Sequence, residues 1–410
     1  MNRIIKKVIC LGIMLFFTAI SVFCFSQRVY AEDIDLNEIR DDSFRQYILS
    51  SYDADHDGRI SEAEAADVKE IDIRNKGIKS LYGIAMFPNL EELNCVNNEI
   101  TSLDMSGNPK LRSLICEEND IGYLNVANNK ELSVLNCALN DFDGIDVSNN
   151  TKLTDLQCAG NKNFGNIDLS NNTELVSLLY VGGSMDEIDL SNNTKLKSLW
   201  ISTTPLKELD LRANKELTVI FCNATDIATI DLRNNTGLQE NSVNVMGNRL
   251  ISIHTSSGIG SNIDTDKQRE LHITVPAGKT SYDLRNIDPD ILAEDITDLN
   301  GAVMEGTVVK DIYDGMKISY IYTENNVNLH AAIVFHADET KPVDPSDPSD
   351  PSDNQETVAE EKTDPSDEKV VKTDKAVPDT GDERRLYFPA IILMMLTAAG
   401  ICAAAFARRK

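Results

Sequence analysis

From residue 90 onward an apolar residue opens each unit of the chain, at Leu90, Leu111, Leu132, Leu153, Leu175, Leu196, Leu217 and Leu238. The steps are 21, 21, 21, 22, 21, 21 and 21 residues. So regular a period predicts a solenoid, in which each turn buries its apolar side only against its neighbours. A looser turn comes first, with Val68, Ile71, Ile73, Ile78 and Leu81, and a degenerate one last, with Val243, Val245, Asn248, Leu250 and Ile253, giving about nine turns.

Within one unit the text runs Leu90-x-x-Leu93-x-Cys95-x-x-Asn98-x-Ile100-x-x-Leu103-Asp104-Met105-Ser106-x-Asn108. Both halves read L-x-x-L-x-L/C-x-x-N, so two short extended segments nest in each turn. This resembles the bacterial leucine-rich-repeat class called IRREKO, over residues 68–253. The resemblance implies a mainly β solenoid of parallel strands. Asn98, Asn119, Asn140 and Asn161 are then a ladder whose amides satisfy backbone groups at the turns.

Of eight cysteines, Cys95, Cys116, Cys137, Cys158 and Cys222 share one slot of the repeat, filled elsewhere by Tyr180 and Ile201. A slot that accepts Cys, Tyr or Ile is a core position, where a thiol packs as a small apolar group. The rival readings are a metal site or disulfides, and strands stacked at about 4.8 Å bridge poorly in register. The neighbouring outward slot carries Asn94, Ile115, Asn136, Gln157, Leu179, Trp200 and Phe221. Exposed apolar side chains grouped together mark interaction sites, which makes Leu179, Trp200 and Phe221 the candidate ligand-binding residues. The alternative is that the following domain covers them.

Ahead of the repeats, residues 53–64 fill every position of a twelve-residue EF-hand loop. Asp53, Asp55 and Asp57 converge on one cation, Gly58 permits the turn, Arg59 offers its carbonyl, Ser61 follows, and Glu64 closes the shell with two oxygens. Helical text flanks the loop at 42–50 and 61–68. One unpaired loop points to a structural Ca2+ and to a helical cap over the open end of the solenoid. A dockerin would carry two such loops.

After the repeats, residues 270–275, 317–322 and 329–335 alternate or run apolar between Gly, Asn and Asp, and read as strands of a small β-sandwich. In architecture this resembles the immunoglobulin-like modules that follow the repeats of internalin-type surface proteins.

The ends of the chain give it an address. A basic start, an apolar stretch over 8–25 and Val29-Tyr30-Ala31 form a signal peptide, so the mature chain begins near Glu32. Residues 386–407 are apolar and long enough to span a bilayer, ending at Arg408-Arg409-Lys410. With Val377-Pro378-Asp379-Thr380-Gly381 ahead of them, they resemble the LPxTG-type sorting signal, Val standing for Leu. The resemblance implies sortase cleavage between Thr380 and Gly381 and linkage to wall peptidoglycan of a Gram-positive cell. Repeated Pro-Ser-Asp triplets make 341–376 an extended spacer. The expected order is thus signal peptide 1–31, cap 32–67, repeats 68–253, β-sandwich 254–340, linker 341–376 and sorting signal 377–410.

A net charge of −27 and a pI near 4.5 exclude nucleic acid, whose phosphates need a basic face. His56, His254, His272, His330 and His336 are scattered, with no helical metal motif, nucleophile elbow or phosphate loop. Asp104, Asp146, Asp168, Asp189, Asp210 and Asp231 recur at one slot, as turn caps do. The reading is therefore a non-enzymatic surface protein binding a protein or glycan of a host or neighbouring cell. The alternative is a wall-structural spacer without a dedicated ligand.

Overall fold

A computed structural model describes residues 35–238, 241–256 and 263–338, which belong to one contiguous unit of the fold. The expected signal peptide, linker and sorting signal, with Thr380 and Gly381, lie outside the described residues. Among the described residues no helix is long and apolar enough to cross a membrane.

The solenoid is observed. Nine strands stack in parallel in sequence order: Glu70–Asp72, Glu92–Asn94, Ser113–Ile115, Val134–Asn136, Asp155–Gln157, Ser177–Val181, Ser198–Ser202, Val219–Phe221 and Val243–Asn244. The register is strict, with Leu93 beside Leu114, Leu135, Leu156, Leu178, Leu199 and then Ile220. Each of these residues is buried, because inward and outward side chains alternate along a strand. The second half of the repeat forms shorter ladders, Ser102–Asp104 with Tyr123–Asn125 and Thr229–Asp231 with Ser252–His254.

Two columns of polar side chains hold the turns. In the first, the Asn119 amide nitrogen donates to the Cys95 and Cys116 carbonyls at 3.0 and 3.1 Å, and its oxygen accepts from the Ile100 amide at 3.1 Å. Asn98, Asn140 and Asn161 repeat the pattern. The column then changes to Gly183, Thr204 and Thr225 before Asn248 resumes it. Gln268 ends it, donating to the Val245 and Thr265 carbonyls, each at 2.9 Å. The solenoid therefore continues beyond Ile253, and Val245 and Gly247 bond to Asp264 and Asp266 of this further turn.

The second column is unbroken. Asn108, Asn129, Asn150, Asn172, Asn193, Asn214 and Asn235 are wholly buried, each donating to two main-chain carbonyls of earlier turns. Buried carbonyls need partners, so an amide at this slot is required in every turn.

Helix α1 (Asp42–Tyr52) and helix α2 (Glu62–Asp67) close the N-terminal end. Asp41 caps α1 by accepting from the Phe44 amide at 3.0 Å, and its other oxygen accepts from the Lys79 amide at 2.8 Å. Phe44, Ile48 and Ile60 are buried in a core that continues into Ile71 and Leu90. The apolar end of the stack is thereby kept from water.

At the other end two sheets pack together. One has the order Leu271–Pro276, Val327–Asp338, Lys317–Glu324, Ile296–Asn300; the other is Ser281–Asp283, Val308–Lys310, Val303–Glu305. The first two strands run parallel and the rest antiparallel. Ile318, Tyr320, Tyr322, Ile333 and Phe335 fill the core. The module joins the solenoid through Tyr320, whose hydroxyl donates to the Ile251 carbonyl at 3.1 Å, and through Asn325, which donates to the Thr255 carbonyl at 2.7 Å.

Candidate functional site

In the loop between α1 and α2 the carboxylates of Asp53, Asp55 and Asp57 gather, with one oxygen of each within 4.8 Å of the others. Main-chain N–H groups shape the loop: Gly58 donates to Asp53 at 2.9 Å and Arg59 to Asp57 at 2.9 Å. Gly58 has φ 84°, a value that disfavours a side chain, whereas a Cβ there would meet nothing. Glu64 reaches back across the loop. One oxygen accepts from the Ala54 amide at 2.8 Å, and the other from the Ser61 amide and hydroxyl at 2.8 and 2.9 Å. Those bonds, led by the one from Ser61, hold the Glu64 carboxyl below its ordinary value. Ser61 also caps α2, so its hydroxyl is engaged with Glu64 rather than turned toward the three aspartates. The donor set is all oxygen and chiefly anionic, which suits a hard cation such as Ca2+.

On the nine-stranded sheet the register places Leu179 beside Trp200 and Trp200 beside Phe221. The two aromatic rings stack at 4.3 Å between centroids and 24° between planes, and the indole nitrogen donates to the Ser198 hydroxyl at 3.1 Å. Both are half-buried. Leu179 departs from the sequence expectation, being only 6 % exposed. In the middle of a longer strand, between Gln157 and Trp200, it is covered by the neighbours that the register sets beside it. The hydrogen bonds and ion pairs that join the C-terminal module to the solenoid involve Arg233, 249–255 and 265, and do not involve Trp200 or Phe221.

The five repeat cysteines are buried and unpaired to one another as disulfides. Burial pushes the thiols of Cys95, Cys137 and Cys222 up to about 12, so they hold no thiolate at neutral pH. The recurring aspartates close turns: Asp146, Asp168 and Asp189 accept from the amide two residues on at 2.9, 2.9 and 2.8 Å.

A feature that the sequence did not reveal lies at the junction of solenoid and module. His254 is buried between two carboxylates, its Nε2 2.8 Å from Asp288 and its Nδ1 2.7 Å from Glu324. Ser252 also donates to Asp288, and the Tyr322 hydroxyl donates to Glu324 at 2.9 Å. Burial alone would disfavour the imidazolium, but Asp288 and Glu324 outweigh it and raise His254 to about 9. His254 also lines a cleft of about 1530 Å³ between repeat residues such as Arg212 and Asp231 and module residues such as Asp290. Within it Arg233 pairs with both Asp231 and Asp290. Asp288 and Glu324 lie 34 and 70 residues from His254, so no local motif announces the group.

Comparison with solved structures finds similarity to leucine-rich-repeat proteins. The functional domain of InlJ from Listeria monocytogenes, which includes a cysteine ladder, is 20% identical, with 75% of this chain and 99% of that one covered at a TM-score of 0.32. Internalin C2 from Listeria monocytogenes is 19% identical over 55% of this chain and 98% of that one, with a TM-score of 0.40. An internalin (inlF) of the same species is 17% identical over 53% and 86%, with a TM-score of 0.29. No protein-family model and no curated protein sequence matches the chain.

Proposed function

We propose that the chain is an exported surface protein, anchored by sortase through Thr380 to the peptidoglycan of a Gram-positive cell, whose solenoid binds a protein or glycan on a host or neighbouring cell. The observation that carries this reading is the Trp200–Phe221 stack, two large aromatic groups half-open to solvent on the parallel sheet. Aromatic side chains in such positions supply much of the energy of recognition. The role passes to these two residues, since Leu179, beside Trp200 in register, is covered.

In this reading the 53–64 loop holds a structural Ca2+ through Asp53, Asp55, Asp57, the Arg59 carbonyl and Glu64, and fixes the helical cap. Ser61 contributes by orienting Glu64. The two-sheet module acts as an immunoglobulin-like spacer, and the apolar 386–407 segment is a membrane helix that holds the chain until sorting. The protein is not an enzyme in this account. The second reading, a wall-structural spacer, draws on the Pro-Ser-Asp linker and the stapled junction at His254.

The test compares the parent with a Trp200→Ala, Phe221→Ala double variant that keeps its β-type circular dichroism, each presented to host cells and to bacterial surfaces. The expected result is binding by the parent and its loss in the variant. No binding by either, or equal binding by both, sinks the proposed site.

A further inference from the structure

On the outer face of the C-terminal four-stranded sheet, two histidines meet that neither the loop nor the aromatic pair explains. His272 stands on the Leu271–Pro276 strand beside Val334, and His336 stands two residues farther along the adjacent strand, beside Thr274. They are therefore diagonal neighbours on one face, while Ile273, Val275 and Phe335 point into the core. His272 Nδ1 lies 2.8 Å from His336 Nε2, with the ring planes 11° apart. Glu270 has the same outward parity as His272 and is paired with Lys317 from across the sheet.

Two imidazoles so placed share one hydrogen: one nitrogen donates and the other offers its lone pair. If the donor ring carries its proton on its other nitrogen, both facing nitrogens offer lone pairs to one metal ion. Two nitrogens on a tetrahedral zinc ion, each at about 2.0–2.1 Å, stand about 3.3 Å apart. The rings need open by only about half an ångström to reach that separation, within the freedom of exposed side chains. The strand backbone already fixes their spacing, so little ordering entropy remains to oppose binding.

We propose that His272 and His336 form a two-histidine site for one divalent transition-metal ion of the zinc, nickel or copper class, with water completing the shell. Imidazole nitrogens select these ions over Ca2+, which takes oxygen ligands. The site is thus chemically distinct from the 53–64 loop.

The experiment is a calorimetric titration of zinc chloride into the full chain, with calcium present in excess to satisfy the acidic loop. The expected result is one equivalent of zinc bound, weakened roughly tenfold or more by His272→Ala and by His336→Gln. His330→Ala, on the same strand as His336, leaves the binding unchanged. Circular dichroism of each variant, unaltered from the parent, separates loss of a ligand from loss of fold. Absence of zinc binding by the parent, or undiminished binding by both histidine variants, overturns the proposal.

Discussion

The indole of Trp200 lies on the phenyl ring of Phe221, 4.3 Å away, because consecutive turns set the same slot of the repeat side by side. The pair is a product of periodicity: a spacing of 21 residues places residue 221 next to residue 200. Removing the phenyl ring should expose one face of the indole. Phe221→Ala is expected to shift Trp200 fluorescence to the red and to cost about 1 kcal/mol in stability, since stacked aromatic pairs contribute about 0.5–1.5 kcal/mol beyond area. Trp200 is the only tryptophan, so the emission reports this site alone. Unchanged emission in Phe221→Ala would contradict the stack.

The His254 cluster makes the stability of the solenoid–module junction depend on pH in two windows. His254 is raised from 6.5 to about 9, so its contribution is full below 6.5 and is lost as pH rises through about 9. Asp288 is depressed below 3.8 despite its burial, through its bonds to His254 and Ser252, so its contribution is present above that value and fades in acid. Thermal melts should therefore show a plateau at intermediate pH with declines at both ends. Replacing His254 with Ala leaves Asp288 buried without its cationic partner and should cost about 3 kcal/mol or more. In that variant the alkaline decline should shrink; a decline of parental size would place its origin elsewhere.

The two asparagine columns differ in what they tolerate. Asn150 donates to the Val126 and Asn129 carbonyls at 3.0 and 2.9 Å, and Asn150→Ala strands both, at an expected cost of about 2–4 kcal/mol. Asn150→Asp should be at least as harmful, because a carboxylate cannot donate. The measurement is chemical denaturation, and a loss below about 0.5 kcal/mol would show that the column is dispensable.

Within each turn the residue just before the first column takes a left-handed backbone: Asn97, Glu118, Leu139, Thr203 and Ala224 have φ between 52° and 58°. At Gly160, Gly182 and Gly247 glycine supplies this conformation freely. Glu118 is exposed, so Glu118→Gly should relieve backbone strain without opening a cavity and raise stability by up to about 1 kcal/mol. Gly183, in the column itself, also takes φ 84°, and Gly183→Ala, where a Cβ would lie 2.5 Å from the Tyr180 hydroxyl and 2.6 Å from the Phe164 carbonyl, should be strongly destabilising. Equal melting temperatures for Glu118→Gly, Gly183→Ala and the parent would remove this account of the turns.

If the acidic loop holds calcium, a chelator should lower the melting temperature of the N-terminal cap. Asp55→Ala should abolish the difference between chelated and calcium-loaded protein while leaving Ser61 and Glu64 to cap α2. A parent indifferent to calcium would sink the calcium reading.

The repeat was legible because one-dimensional periodicity maps directly onto contacts between neighbouring turns: the cysteine slot, Ile201 and Tyr180 all proved to be core. The second asparagine column recurs in the text at Asn108, Asn129, Asn150, Asn172, Asn193, Asn214 and Asn235 as regularly as the first, but the carbonyls its members serve are positions that no sequence states. Leu179 was misread as exposed because alternation along a strand gives direction and not cover. The His254, Asp288 and Glu324 cluster could not be read at all. Its members come from different elements and meet only when the module packs on the last turns.

The most direct measurement of the central claim is fluorine NMR of the full chain labelled with 5-fluorotryptophan, which yields a single resonance from Trp200. Adding the cell-surface fraction that binds the protein should shift or broaden that resonance, and the change should be reversed by an excess of unlabelled parent but not of the Trp200→Ala, Phe221→Ala variant. Binding that leaves the resonance untouched would contradict recognition through this face of the solenoid.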